Sequence, residues 1–532
     1  MSKFVVLDCD CFNAVFGEGI VRVSVGRFFK SDVESRGDLT VTRILSSTRR
    51  GWPVVPRKGE VMDGVETITW GRRHFGGLSL GDARRSRRLP ELVETMRRHP
   101  GGTLPEKLSD PADLRAFYRM MNADAVTHAT VLATHYRVTR QAVAEAVDGN
   151  STVLILHDAT ELDYTTKTTL LDQLGQIGEG THRGYICHNS LAVRADTKGA
   201  LGLTSQILHH RADVPEGETV KQRRERQNRE SRLWPRGAAA SGPLPPTGRV
   251  VDVSDSLSDT FEYMASEIGS GRQFLLRAKE NRKLARSING QWYLLDAVRT
   301  RLAVRDWVQD IPAGPGRPAR VATLKLSFTP VTLDVPGTRT GEYPDRPLEL
   351  WAVRVWEPHP PQGIEPLEWI LLTNVETTTP DEARERGCWY ECRFVIEEFH
   401  KGLKTGCGIE KLQFERIEPL EPTIGILSAL TTTLLQLRDE ARQPDADVRP
   451  ATDVASPEYV EVLAQHYPRR LRDQVSIKAF YMHVARLGGH QNRKGDGFPG
   501  WLTLWRGWMK LEAMVLGYRL AQRKQRKRYG KT

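Results

Sequence analysis

The tightest constraint on the fold comes from two short apolar runs, each of which finishes on an aspartate. Thr152-Val-Leu-Ile-Leu156 is followed at once by His157-Asp158, and Arg249-Val-Val-Asp-Val-Ser-Asp255 carries its acid at the end of the run. Such runs, short and rich in β-branched residues, read as strands buried on both faces of a sheet. Further strands are expected over residues 185–193, 201–208, 273–278 and 368–373, with helices over 221–232 (strongly basic) and 260–268 and a Pro/Gly/Ala linker over 235–248. Alternating strands and helices predict an α/β core, where ligands collect at strand ends. Asp158 and Asp255 are therefore the first candidate site residues.

Around this core the chain changes character. At 532 residues it has room for several domains. Residues 1–64 show no sustained period beyond a possible strand at Phe4-Val-Val-Leu7, and translation from Met62 would leave most of them out. Within them Val5-Val-Leu-Asp-Cys-Asp10 has the outline of a phosphatase nucleophile strand, but no partner residues stand at suitable places downstream. Residues 65–148 read as helical and arginine-rich, with Arg84, Arg85 and Arg119 the leading candidates for phosphate contact and Asp82 an acidic N-cap. The core spans 149–440 and holds a β-rich insertion at about 295–366. After a polar linker (445–457), residues 441–532 are helical, carry Trp501, Trp505 and Trp508 at helical spacing as a packing or dimerisation face, and end in a basic tail.

Composition narrows the partner. Lys and Arg number 77 against 66 Asp and Glu, a net charge of +11, which favours a polyanion such as nucleic acid. The six cysteines form no paired CxxC knuckles, so neither structural zinc nor a disulfide scaffold is indicated, and a reducing, cytoplasmic setting is expected. The longest uncharged run, 422–437, is shorter than the ~20 residues of a membrane-spanning helix, so no membrane partner is expected.

The sharpest pattern lies on a helix expected to begin near Cys388. Tyr390, Arg393, Glu397 and Lys404 stand at i, i+3, i+7 and i+14, which at ~100° per residue confines them to an arc of roughly 60°. Ile396, Phe399 and Leu403 form the buried face, Glu398 points away, Lys401 falls at the edge of the stripe, and Gly406 ends the helix. Three carboxylates converging from Asp158, Asp255 and Glu397 require a cation, and Mg²⁺ (or Mn²⁺) suits carboxylate oxygens shared with phosphates. Arg393 and Lys404 would hold those phosphates, with Tyr390 as a further donor.

The spacing Tyr390-x2-Arg393-x3-Glu397-x6-Lys404, within Val395-Ile-Glu-Glu-Phe-His-Lys401, resembles the signature of the IS-four family of insertion-sequence transposases. Leu80-Gly-Asp-Ala-Arg-Arg85, His157-Asp-Ala-Thr160, Pro366-Leu-Glu-Trp-Ile-Leu-Leu-Thr373 and Ala485-Arg-Leu-Gly-Gly489 resemble other family segments in the same order. The resemblance implies an RNase H-like catalytic core flanked by a helical DNA end-binding domain and a helical C-terminal domain. It implies Asp158, Asp255 and Glu397 as Mg²⁺ or Mn²⁺ ligands, double-stranded DNA (terminal inverted repeats and target) as partner, a synaptic homodimer, and cut-and-paste transposition. By the same analogy Trp369 would stack on a flipped base, the alternative being a core tryptophan, and Arg277 would contact DNA. The family follows its second aspartate with Arg-Glu, whereas this chain reads Asp255-Ser-Leu-Ser-Asp259. A catalytically inactive, end-binding inhibitor or decayed copy is thus the alternative function.

Overall fold

The computed structural model describes residues 69–529 apart from 100–101, 180, 213–216, 220–221, 223–225, 227, 312–317, 338–344, 472–473, 494–495 and 497. The expectations for residues 1–64, including the Phe4–Leu7 strand and the Met62 start, lie outside the described residues, as do 221, 223–225 and 227 of the basic helix expected over 221–232, whose described end is a 3-10 turn, Glu230–Arg232.

The first elements are helical: α1 Trp70–Phe75, α2 Ala83–Arg98, α3 Leu104–Lys107, α4 Pro111–Met121 and α5 His128–Asp148. Asp82 caps α2 by accepting from the Arg84 backbone N–H at 2.7 Å. Leu89, Leu92, Val93 and Met96 recur at i, i+3, i+4 and i+7 and are buried, so the arginines of α2 are left to the other face.

The described strands β1 Val153–Asp163, β2 Gly175–Ile177, β3 His182–Arg194, β4 Ala200–His209, β5 Val250–Ser254 and β6 Gln273–Arg277 build one end of a twelve-stranded mixed sheet. β1 is antiparallel to β3 and parallel to β5, β5 is parallel to β6, and β4 pairs antiparallel on the far side of β3. The other end comprises β7 Lys283–Ile288, β8 Gln291–Tyr293, β9 Arg305–Ile311, β10 Arg320–Leu333, β11 Leu348–Trp356 and β12 Glu368–Thr373. The β-rich segment thus begins at Lys283 rather than near 295, and it extends the main sheet instead of forming a separate insertion layer. β12 makes the join: Leu372 is opposite Leu276 of β6 on one side and Ala352 of β11 on the other.

Two expectations fail for tertiary reasons. The linker expected over 235–248 opens as a helix, α6 Leu233–Ala240, because Gly237 allows it to lie against His188; a Cβ there would come within 2.3 Å of that imidazole. β1 does not end at Asp158 but runs five residues further, because antiparallel pairing with β3 continues to Asp163 after the parallel pairing with β5 has stopped at His157.

Helices α7 Phe261–Gly269 and α8 Leu294–Arg299 join α6 on one face of the sheet, over Phe274, Leu276 and Leu372. The opposite face carries Leu154, Leu156, Val251, Val253 and Leu371 and is covered by α9 Pro380–Glu391, α10 Phe394–Lys401 and the long α11 Ile417–Ala441. The C-terminal helices α12 Pro457–His466, α13 Ile477–Leu487 and α14 Trp501–Tyr529 follow. Trp501, Trp505 and Trp508 are buried within the chain: Trp501 stacks on Trp505, and Trp508 on Tyr459. That stripe is an internal packing face. No helix among the described residues is long and apolar enough to cross a membrane.

Candidate active site

Side-chain alternation along the central strands puts Leu154, Leu156 and Asp158 on the face covered by α9 to α11, together with Val251, Val253 and Asp255. Asp255 follows Ser254 as Asp158 follows His157, one residue beyond the last parallel pair. The intervening Asp252 lies on the opposite face, fully buried, bound to His157 at 2.7 Å and to Arg272 at 2.7 and 2.9 Å, a structural ion cluster. Asp255 also caps the following 3-10 turn, accepting from the Leu257 N–H at 3.0 Å.

The third acid is carried by an irregular helix. Its first segment begins at Pro380, eight residues before Cys388, under a capping box made by Thr379 and Glu382. At 392–396 the backbone bonds tighten to i→i−3, from Arg393 N–H to Tyr390 C=O and from Ile396 N–H to Arg393 C=O. At the other end Gly402–Gly406 widens into a π turn. Gly402 is required there: a Cβ would sit 2.9 Å from Thr431 Cγ2 and 3.0 Å from Trp501 Cζ2. The continuous 3.6-residue stripe expected from sequence is therefore broken at both ends, and only its middle behaves as expected. Ile396, Phe399 and Leu403 are fully buried, and Glu398 turns away to Arg438 at 3.2 Å.

Asp158, Asp255, Tyr390, Arg393 and Glu397 come together. Arg393 is 5% exposed; its Nη1 donates to Asp158 Oδ2 at 3.1 Å and its Nη2 to Glu397. Burial raises the Asp158 carboxyl above its ordinary range against the pull of Arg393. Burial and then the charge of Asp158 push Asp255 up to about 6. Glu397 is raised chiefly by burial, with the charges of Asp158 and Asp255 adding to it. Tyr390, 5% exposed, is pushed up to about 12 by burial.

The remaining expected residues stand further out. Arg277 ends β6 with Nη2 3.2 Å from the Glu368 carbonyl, and its charge still reaches Asp255. Trp369 is buried edge-on against Tyr390, ring centres 5.1 Å apart, which is the core position rather than an open stacking platform. Lys404, in the π turn, lies 3.4 Å from Glu410, and Lys401 lies 3.9 Å from Glu398. Arg84 is exposed on α2 beside Asp82, Arg85 reaches the Leu80 carbonyl at 3.3 Å, and Arg119 is exposed on α4. Asp259, the second acid of the altered segment, accepts from the backbone N–H groups of Lys279 and Glu280 and from Arg282, so its role is to hold that loop.

Residues 68–126 match the Transposase DNA-binding family model. The match covers α1 to α4 and stops two residues before α5, so the arginine-rich face of α2 lies within the matched segment. It supports a transposase, with DNA as partner.

Two site residues were missed in the sequence. His400 is buried with Nδ1 3.9 Å from Asp158 Oδ2, and Asn189 contacts its other ring nitrogen at 3.1 Å. Burial, with the charges of Lys404 and Arg393, lowers His400 to about 3, so the ring is neutral. Its spacing, three after Glu397 and seven after Arg393, was available as a signal. As to metal, the candidate donors are two buried carboxylates, Asp158 and Asp255, and the half-buried Glu397, which repel one another, a hard oxygen set suited to Mg²⁺. Among the described residues no three His, Cys, Asp or Glu side chains are gathered as a ready metal site; the guanidinium of Arg393 serves as counter-charge between Asp158 and Glu397.

Proposed function

We propose that this protein is a DDE transposase that cuts and joins DNA at transposon ends by metal-dependent phosphoryl transfer. The observation that carries the reading is the convergence of Asp158, Asp255 and Glu397 around the buried Arg393, in a chain whose N-terminal helices match a transposase DNA-binding segment. The strand order β4-β3-β1-β5-β6, antiparallel and then parallel, supports an RNase H-like core. The finer assignment, to the IS-four family near the Tn-five transposase, rests on the Tyr390–Lys404 signature.

In this reading Asp158, Asp255 and Glu397 hold Mg²⁺ or Mn²⁺, which supplies Lewis-acid stabilisation and an activated nucleophile for in-line displacement. Arg393 exchanges its carboxylate partners for a phosphate of the bound strand, which frees two carboxylates at the moment DNA arrives. Tyr390 and Lys404 steady neighbouring phosphates, and Arg277 guards the outer edge of the site. No residue needs to form a covalent bond to DNA. Terminal-repeat recognition, the synaptic homodimer and the route through a hairpin end follow from the family resemblance.

The test compares wild type with Glu397→Gln on DNA carrying the terminal repeats that flank the gene. Wild type is expected to cut in Mg²⁺, and the variant to bind the same DNA with similar affinity without cutting. A wild type that binds but never cuts, in Mg²⁺ or Mn²⁺, establishes the inactive end-binding reading, whose support is the altered Asp255-Ser-Leu-Ser-Asp259 segment.

A further inference from the structure

A row of buried polar side chains leaves the acid cluster and ends at the first residue of α5. Asp158 on β1 is directly opposite Asn189 on β3, which is directly opposite Gln206 on β4. Asn189 is fully buried and Gln206 nearly so. Two positions back along β1, the equivalent row is Leu156, Leu191 and Leu203. The fold therefore accepts an apolar row across these strands, and the polar one needs another reason.

Every hydrogen bond in the row runs in one sense. The Ser428 hydroxyl donates to the Ile424 carbonyl at 2.8 Å, so its oxygen accepts from Gln206 Nε2 at 2.9 Å. The same amide nitrogen donates to Asn189 Oδ1 at 2.7 Å, and Gln206 Oε1 accepts from His128 Nε2 at 2.9 Å. Asn189 therefore presents its nitrogen to His400 Nε2, at 3.1 Å. That leaves the His400 proton on Nδ1, the atom that faces Asp158.

We propose that His400 is a positioning residue for Asp158, held in its working tautomer by the relay Asn189–Gln206–His128, which ties the carboxylate to the N-terminus of α5. The inference rests on the nuclease reading of the acid cluster. His128 stands two residues beyond the matched DNA-binding segment, so the relay joins that segment's boundary to the acid cluster. Through it the imidazole N–H limits the orientations open to Asp158.

The test uses the full chain and single-turnover cleavage of terminal-repeat DNA. Asn189→Asp keeps size and shape but replaces the donor to His400 by an acceptor; it is expected to lower the cleavage rate about 10–100-fold, the range typical of outer-shell partners, with end binding unchanged. Gln206→Glu, which disturbs the row one step further out, is expected to act in the same direction and stands in if Asn189→Asp melts early. His400→Asn keeps an N–H towards Asp158 and is expected to lose less than His400→Leu. On the His400→Leu background Asn189→Asp costs nothing further. A cutting wild type whose Asn189→Asp and Gln206→Glu variants cut equally fast, or whose Asn189→Asp penalty persists in full without His400, overturns this inference alone. A wild type that does not cut overturns the nuclease reading and this inference together.

Discussion

At Asp255 burial and the neighbouring charge of Asp158 act in the same direction, holding its carboxyl at about 6 against an ordinary 3.8. The folded chain therefore binds this proton more tightly than the unfolded one. Its contribution is fully present at low pH and is lost as pH rises from about 4 through 6, a cost of up to about 3 kcal/mol above that window. Asp255→Asn removes the cost, so in chelator the variant is expected to melt above wild type at pH 7 and to lose that advantage near pH 4.5. Parallel melting curves across that range would rule out the repulsion. The three acids were legible in the sequence because strand alternation and helical spacing are local properties. The spacing of His400 gave a local signal, but its pairing with Asn189 was not legible, because the two positions are 211 apart.

Among the elements, the least legible was the signature helix. Its spacing revealed the acid, arginine and tyrosine, yet neither the tightened joint at 392–396 nor the π turn at 402–406, where Gly402 packs against Thr431 of α11 and Trp501 of α14, is written in that spacing. The C-terminal helices show the same dependence on close approach. At the crossing of α13 and α14, a Cβ on Gly507 would sit 1.7 Å from the Val484 carbonyl oxygen, and one on Gly488 would sit 1.8 Å from that of Thr503. Gly507→Ala is thus expected to destabilise the protein by about 1–3 kcal/mol or more, despite the better helix propensity of alanine. Denaturant titration checks this; a variant at least as stable as wild type would mean that the helices can separate freely. The Gly488-Gly489 pair was noticed in the sequence as part of a motif, while its mechanical reason needed the partner helix.

For the whole molecule, the matched segment holds part of the basic surplus and the C-terminal tail holds more, with seven basic residues and no acid over 519–531. Arg84 and Arg119 are exposed on α2 and α4, with Arg84 paired at 3.0 Å to Asp82, which is also at the surface. Replacing either by Ala is expected to weaken binding about equally on specific and unrelated DNA and to reduce the slope of log affinity against log salt by about 1. A loss confined to one DNA sequence would instead assign that arginine to base recognition. Along the chain come helices, a sheet and helices, but the borders between them blur, because the β-rich segment joins the main sheet and α5 packs on its strands.

The sheet that gathers the acids also sets a clock. Asp158 and Glu397 are nearly 240 residues apart in the chain, and the helix carrying Glu397 packs on strands made long before it. At ribosomal speeds of 5–20 residues per second, that separation is a wait of roughly 10–50 s. During it the nascent chain already carries residues 68–126 but has at most two of the three acids. A message cut short anywhere in that interval yields a polypeptide that carries the matched segment and lacks Glu397, and such a product is expected to compete with the full-length protein for DNA.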